Sequence, residues 1–185
     1  MRLALLLLLT ACSATPQPES APPRIVERRT SDTPAPRGEA LLRAAMLAGQ
    51  NEARARLGLA PLAWNDSLAA DARAYAEEMA RTARFEHSPQ PRGDPPQGEN
   101  LWTGTSRAYT YREMVGHWIA EGRVYRPLPV PQSSATGDFG DVGHYTQIVW
   151  RNTREMGCAE ASNRRDDYVV CRYLPAGNVV GEMAY

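Results

Sequence analysis

The chain has 185 residues, enough for one domain of ordinary size and a short appendage, and its 21 basic and 21 acidic side chains leave no net charge. This balance provides no broad basic field for phosphates, so nucleic acid is not expected as a partner. All 21 basic residues are arginine, which excludes Schiff-base chemistry and lysine general bases.

The first residues predict an export signal. Arg2 precedes a leucine-rich run from Leu3 to Leu9, which is much shorter than the roughly 20 residues that cross a bilayer. The sequence Leu-Thr-Ala-Cys at its end resembles a bacterial lipobox, in which the cysteine becomes the lipidated N-terminus. We interpret residues 1–11 as a lipoprotein-type signal peptide and Cys12 as the lipidation site. The alternative is a cleaved secretory signal followed by an incidental cysteine.

Residues 12–37 have the composition of an extended tether. They contain six prolines and almost no large apolar side chains, so they cannot bury a core. We place the globular domain at residues 38–185. A lipid on Cys12 would attach this domain to a bacterial membrane or cell envelope, on the extracytoplasmic side. Without the lipid, the protein would be secreted.

Two amphipathic patterns at the start of the domain predict helices. Residues 41–57 carry apolar side chains at helical spacing, and Gly58 is a suitable C-terminal stop. Residues 68–83 carry a mostly alanine stripe at helical spacing, with Asn65 or Asp66 available as the N-cap.

A third, shorter helix is predicted further along the chain. Thr110 and Glu113 have capping-box spacing and would open it. Glu121 shares the helix face of Met114 and Trp118, so a carboxylate is expected beside an apolar surface.

Two proline-rich or glycine-rich segments are expected to be irregular. Residues 85–105 should form a surface connection that brings His87 and Glu99 towards a common place. Residues 122–142 form a long loop, and loops of that length inside a compact domain are commonly functional or mobile.

The stretch from Gly143 to Trp150 predicts a strand, because a polar start is followed by aromatic and β-branched residues. On such a strand His144 would lie at the mouth, with Ile148 and Trp150 behind it on the same face. This is a suitable place for a binding site.

Two further strands are predicted at residues 156–162 and 168–174, separated by the polar turn 163–167. Cys158 and Cys171 lie on them at matched distances from the turn. Because an export signal precedes the domain, a disulfide across adjacent strands is expected, with a contribution on the order of 3 kcal/mol.

Four ionisable residues lie at loop or element ends beside apolar surface: His87, Glu99, Glu121 and His144. They could bind a divalent cation such as zinc, with the imidazoles as inner ligands and the carboxylates as outer partners or general bases. No HExxH or clustered Cys/His signature is present, so isolated surface carboxylates and satisfied histidines are the alternative. His117 with Glu121 has helical i, i+4 spacing and is a competing metal pair, although His117 is expected to be exposed.

The run GHYTQIVWRNT, followed by GCAEA and YVVCRYLPAGNV, resembles both signature motifs of the CAP superfamily. This superfamily of SCP-domain proteins includes cysteine-rich secretory proteins, insect antigen 5 and plant pathogenesis-related class 1 proteins. The likeness covers about residues 41–185, where FEHS, GENL and HWIAE follow in the family's order and Gln50 stands where a histidine is common. It implies an α+β fold, a three-layer α-β-α sandwich with a central antiparallel sheet of three to four strands.

The resemblance also implies a cavity tetrad, which maps onto His87, Glu99, Glu121 and His144. Together with the lipobox-like N-terminus, the resemblance favours a secreted, membrane-anchored binding module that holds zinc or another divalent cation in this cleft. A small apolar, lipid or sterol ligand is a further candidate, and the counterpart of the family's sterol-binding loop is residues 122–142. The alternative function is a metal-dependent peptide or ester hydrolase with Glu99 or Glu121 as the base. A third possibility is that the tetrad only braces the fold.

Overall fold

Residues 33–89 and 96–185 are described by the structure, a computed structural model. The elements in chain order are α1 (Glu39–Ala55), β1 (Ala63–Trp64), α2 (Asp66–Thr82), β2 (Gly98–Thr105), α3 (Tyr111–Ala120), α4 (Gly143–Ile148), β3 (Glu155–Ser162) and β4 (Asp166–Leu174). Single 3-10 turns lie at Glu121–Arg123 and Phe139–Asp141. Among the described residues, no helix is both long enough and apolar enough to cross a bilayer. The predicted signal peptide and Cys12 lie outside the described residues.

The four strands form one sheet in the order β1-β3-β4-β2. The pairs β3–β4 and β2–β4 are antiparallel, and the two-residue β1 joins β3 in parallel. The prediction of an α+β fold with a sheet of three to four strands is confirmed. Since β2 is an edge strand, its outer side is free to meet the loops and the short helix that follow α3.

Both faces of the sheet are covered by helices. Along β4, Val169, Cys171 and Tyr173 face the core beneath α1, α3 and α4, whereas Tyr168 and Val170 face α2. Successive strand residues point to opposite faces, so this strand, which is buried along most of its length, supplies two cores at once. The result is the expected three-layer α-β-α arrangement.

Helix α2 packs closely on the sheet because the contact is made by small side chains. Ala72 and Ala76 of the predicted alanine stripe are fully buried. Opposite them, a Cβ at Gly157 of β3 would overlap the backbone of Ala69. Glycine is therefore required at position 157 to let the helix and the strand approach.

The predicted helix ends are confirmed by their hydrogen bonds. Asn65 is the N-cap of α2, and its side-chain oxygen accepts from the backbone N–H groups of Ser67 and Leu68 at 2.9 and 3.1 Å. Thr110 and Glu113 form the predicted capping box of α3. The α2 stop at residue 83 and the start of α1 agree with the predicted bounds to within two residues.

The strand predicted at residues 143–150 is wrong, because residues 143–148 form the short helix α4. Its β-branched residues favour a strand, but propensity is a weak prior that tertiary contacts override. Thr146 helps to fold the turn, since its hydroxyl donates to the backbone oxygen of Val142 at 3.1 Å. In this helix Thr146, Gln147 and Ile148 are buried together.

The irregular connection predicted at residues 85–105 is also partly wrong, because its last eight residues form β2. The irregular structure was predicted from the prolines and glycines, most of which precede residue 98. The strand forms because every residue from Gly98 to Thr105 has a register partner on β4. Leu101 and Trp102 then bury their side chains in the two different cores.

The predicted disulfide is confirmed. Cys158 and Cys171 are direct register partners on β3 and β4, and they are bonded across a sequence separation of 13 residues. Closing a loop of that size contributes on the order of 3 kcal/mol in the chain-entropy description.

A buried arginine joins α1 to the end of α4. Arg54 has no exposed surface, and its guanidinium donates to the backbone oxygens of Ala60 at 2.7 Å, Ile148 and Trp150 at 2.8 Å and Thr153 at 3.2 Å. Burial, together with nearby positive charge, lowers the pKa of Arg54 to about 10. The side chain therefore stays charged at neutral pH.

The described part of the expected tether is held on the sheet by Arg37. Its guanidinium contacts Glu160 at 2.9 Å and Asp167 at 2.5 Å, and the Asp167 side chain is fully buried. Tyr111 donates to the second oxygen of Glu160 at 2.5 Å. Burial and this hydrogen bond raise the pKa of Tyr111 well above its ordinary value. The boundary near residue 38 stays a prediction.

Replacing Arg37 with alanine should lower the free energy of unfolding by about 3 kcal/mol, because two largely buried carboxylates would lose their counter-charge. Urea unfolding at neutral pH measures this loss. The matched control is Arg81→Ala, which removes an exposed arginine paired with Glu78 at 2.7 Å and should cost less than about 1 kcal/mol. Equal losses in the two variants would show that Arg37 does not hold residues 33–37 on the domain.

Candidate functional site

His87 and Glu99 form the first half of the candidate site. The His87 ring lies on the connection after α2 and is 66% exposed, whereas the Glu99 side chain on β2 is only 2% exposed. His87 Nδ1 and Glu99 Oε1 are 2.7 Å apart, and the backbone N–H of Ser88 donates to the same oxygen at 3.0 Å. The expectation that the connection brings His87 and Glu99 together is confirmed.

Arg172 holds the Glu99 carboxylate from the other side. Its Nη2 atom lies 3.1 Å from Glu99 Oε2 and also donates to the hydroxyl of Ser88 at 2.8 Å. Burial would raise the pKa of the Glu99 carboxyl. The hydrogen bond with His87 and the charge of Arg172 outweigh that effect, and the pKa lies below its ordinary value of 4.5. Glu99 is therefore ionised at neutral pH.

His144 and Glu121 form the second half. Glu121 follows the last residue of α3, and its Oε1 atom lies 2.6 Å from His144 Nδ1. Its Oε2 atom accepts from the backbone N–H groups of His144 and Tyr145, both at 3.0 Å. Val142, the N-cap residue of α4, makes no side-chain capping bond, so Glu121 caps this helix from outside. One carboxylate thus starts α4 and orients the His144 ring.

The apolar surface predicted beside Glu121 supports the second pair. The Trp118 ring stacks on the His144 ring, with centroids 5.8 Å apart and planes 18° apart. Trp118 itself is fixed because its Nε1 atom donates to the backbone oxygen of Leu101 at 3.1 Å. The His144 ring is consequently held by a carboxylate at its edge and an indole on its face.

Sequence reasoning did not identify Gln147, which positions α4 against β2. The Gln147 side chain is buried, accepts from the backbone N–H of Gly177 at 2.9 Å and donates to Thr153 at 3.3 Å. A Cβ at Gly98 would overlap its amide oxygen. The glycine of the GENL motif signals this close approach, although only the fold shows what fills the space.

The competing pair of His117 and Glu121 does not form the site, because Glu121 is engaged by His144. His117 is exposed, as predicted. Its Nδ1 atom accepts from Trp102 Nε1 at 3.0 Å, and its ring packs edge-on against Tyr109. His117 therefore belongs to a separate aromatic cluster.

In both halves of the site, a carboxylate engages the Nδ1 atom and leaves Nε2 as the remaining ring nitrogen. An imidazole that donates its other N–H to a carboxylate is the usual form of a metal-binding histidine. Within residues 33–89 and 96–185, however, no group of three or more His, Cys, Asp or Glu side chains could hold a metal. Imidazole nitrogen is a donor that zinc accepts, so the chemistry of the two rings is compatible with a cation whose remaining ligands are solvent.

Most of the domain matches a known protein family. The model of the family described as "CAP: Cysteine-rich secretory protein family" matches residues 47–173. The chain belongs to the CAP family. A secretory family and a disulfide agree with the expected location outside the cytoplasm.

The most similar relatives include plant proteins. A pathogenesis-related protein of PR-1 type from Sambucus nigra is 40% identical over 137 residues, which span 73% of this chain and 77% of that protein. Pathogenesis-related protein 1A from Nicotiana tabacum is 40% identical over 141 residues, which span 75% of this chain and 78% of that protein.

Solved structures agree with the CAP fold. The crystal structure of NaASP2 with Zn2+ has a TM-score of 0.62 and 25% identity, and the match covers 84% of this chain and 88% of that one. BmVAL-1 has a TM-score of 0.65 and 24% identity over 84% of this chain and 86% of that one. The second likeness shows the fold alone.

In this CAP domain, Glu99→Gln should reduce stability at neutral pH by about 3 kcal/mol, because buried Arg172 loses its counter-charge. The folded-state pKa of Glu99 lies below the unfolded value, so its ionised form contributes stability above about pH 4.5 that is lost as the pH falls through the folded pKa. The stability gap between wild type and variant should therefore narrow as the pH falls. Chemical unfolding from about pH 7 to about pH 3 measures this change.

The matched control is Glu78→Gln, which changes an exposed carboxylate paired with Arg81 and should cost less than about 1 kcal/mol at neutral pH. A gap between wild type and Glu99→Gln that stayed constant down to pH 3 would contradict a stabilising ionised Glu99.

Proposed function

We propose that this CAP domain is a binding module whose cleft takes one divalent cation, with zinc-like preferences, through the Nε2 atoms of His87 and His144. One observation carries the proposal: each ring has its Nδ1 atom 2.6–2.7 Å from a carboxylate oxygen. This contact fixes which ring nitrogen is offered to a ligand and how the ring is oriented. The two carboxylates act as outer partners and not as ligands.

The exposure of the rings supports binding from solvent. The His87 side chain is 66% exposed and that of His144 is 30% exposed, whereas their carboxylate partners are 2% and 19% exposed. The nitrogen donors are thus reachable and the charges that orient them are protected. Two protein ligands are fewer than the three of catalytic zinc sites, so the cation should exchange readily. NaASP2, a relative at 25% identity, has a crystal structure with Zn2+, which adds support from within the family.

Binding is favoured over metal-dependent hydrolysis because neither carboxylate is a free general base. Glu99 has both oxygens engaged and a pKa below its ordinary value, whereas an efficient base at neutral pH has a pKa near 7. Glu121 accepts three hydrogen bonds from the start of α4. Hydrolysis would require one of them to leave these partners during turnover.

An apolar ligand has less support in the structure. In the loop at residues 122–142, Val130 is buried, and Tyr125 packs against Tyr145 and Tyr185. Leu128 is exposed by 45%. Most of the apolar surface predicted for a lipid or sterol is thus used inside the domain, and we confine the proposal to the cation.

Zinc at about 100 times its dissociation constant should stabilise the purified domain by about 2.7 kcal/mol and raise its Tm. The double variant His87→Ala/His144→Ala should lose this rise. His117→Ala, which removes the exposed histidine outside the cleft, should keep it. Differential scanning calorimetry with and without zinc measures the Tm of the wild type and of both variants. If zinc raised the Tm of the double variant as much as that of the wild type, the cation would bind elsewhere.

We further propose that the domain is attached to a bacterial envelope membrane through a lipid on Cys12, as its lipobox-like sequence indicates. When the full chain is produced in a bacterium, wild type should sediment with membranes and carry an acyl-modified N-terminus. Cys12→Ser should remove the acyl mass and release the protein from the membrane fraction. Fractionation and mass spectrometry of the N-terminal peptide test this, and an unmodified wild-type Cys12 would refute it.

A further inference from the structure

Asn100 lies at the point where the edge strand meets α4. Its side chain is 1% exposed, and its Nδ2 atom donates to the backbone oxygen of His144 at 3.1 Å and to the hydroxyl of Tyr173 at 3.2 Å. The residue before it, Glu99, holds His87. Two successive residues of one strand therefore contact the two histidines of the cleft.

The alternation of the strand explains how this is possible. Glu99 and Arg172 are register partners on β2 and β4, and the Arg172 guanidinium lies over Tyr75 of α2. Asn100 pairs with Cys171 and points to the opposite face, beneath α1 and α4. Two successive residues of β2 thus connect the two histidines: Glu99 contacts the His87 ring, and Asn100 contacts the backbone of His144.

We propose that Asn100 is a positioning residue that fixes His144, and with it α4, at a set distance from His87. The proposal rests on the cation site proposed above and identifies what sets the separation of its two donors. Without the Asn100 bond, Glu121 would still orient the His144 ring relative to α3. The close contact of Gln147 with Gly98 would still keep α4 beside β2, but the hydrogen bond from β2 to the backbone oxygen of His144 would be lost.

The surroundings of Asn100 restrict it to this role. Tyr173 is fully buried; burial raises the pKa of its hydroxyl, although hydrogen bonds with Gln50 and Asn100 oppose that rise. Gln50 of α1 is also fully buried, with its Nε2 atom 3.9 Å from Cys171 Sγ. The amide of Asn100 is thereby braced from behind by α1 and β4. A short side chain with an N–H donor suits position 100, because the donor must reach from β2 to the backbone oxygen of His144.

The first test needs no metal. In the metal-free wild-type domain, NMR should show a nuclear Overhauser contact between the Asn100 side-chain amide and the start of α4, together with slow solvent exchange of that amide. Asn100→Ala should shift the ring nitrogen resonances of His144 and leave those of His117 unchanged. This measurement stands even if zinc never binds, so it separates a failure of the positioning role from a failure of the cation proposal.

The second test measures zinc affinity by calorimetry in two backgrounds. Asn100→Ala should weaken binding about tenfold, as removal of a supporting residue around a metal site commonly does. Because Asn100 is proposed to set the separation of the two donors, its effect requires both histidines. In a His87→Ala or a His144→Ala background, where only one donor remains, Asn100→Ala should change the residual affinity by less than about twofold.

Asn51→Ala is the matched control for a general loss of stability. Asn51 also makes two hydrogen bonds with backbone atoms, donating to Leu62 O at 3.1 Å and accepting from Leu62 N at 2.7 Å, at the end of α1. The Asn51→Ala substitution should lower the Tm of the domain without changing its zinc affinity. An effect of about tenfold that persisted in either histidine background, or equal effects of Asn51→Ala and Asn100→Ala on zinc affinity, would overturn the positioning role. Should Asn100→Ala fail to fold, absence of the wild-type amide contact would overturn it.

Discussion

The fold depends on one buried cation, the guanidinium of Arg54. An arginine without exposed surface must be neutralised or fully hydrogen-bonded, because a buried charge is otherwise costly. This guanidinium donates to four backbone oxygens, which lie after α1, at the end of α4 and before β3. The planar guanidinium therefore fixes the relative positions of three segments that are distant in sequence. Lysine could not replace it, because its ammonium group lacks the fixed planar arrangement of donors.

This constraint determines where the candidate site can form. Helix α4 has only six residues, too few to be stable alone, so both of its ends need external partners. Arg54 binds the oxygens at its C-terminal end, where a positive charge is favourable, and Glu121 binds the N–H groups at its start. His144 lies on the turn between these two charges. Its position therefore depends on residues of α1 and α3, together with Asn100 of β2, as well as on the local sequence of α4.

The sequence predicted those parts of the fold that depend on local patterns. The alanine stripe of α2, the Asn65 cap and the capping box at Thr110 are local, and each is confirmed. The strand predicted at residues 143–150 and the irregular segment that contains β2 failed for a common reason. In both places a distant partner, Arg54 with Glu121 or the whole of β4, decides the conformation, and no short window of sequence contains that partner. The candidate site shows the same division. The family motifs predicted the residues of the two histidine–carboxylate pairs, whereas Arg172, Gln147 and Asn100 were not predicted. These three are buried polar side chains, which sequence patterns alone do not distinguish from ordinary surface residues.

The two halves of the cleft are not equivalent, and this asymmetry follows from their supports. His144 is held by a carboxylate, an indole face, a helix backbone and Asn100, so little freedom remains to be lost when a ligand binds. His87 is 66% exposed and stands on a connection beside a proline-rich stretch, where the Glu99 carboxylate orients its ring. In the proposed cation site, the ligand would therefore meet one preorganised donor and one that must be ordered. This arrangement would favour binding with ready release over permanent retention of the metal.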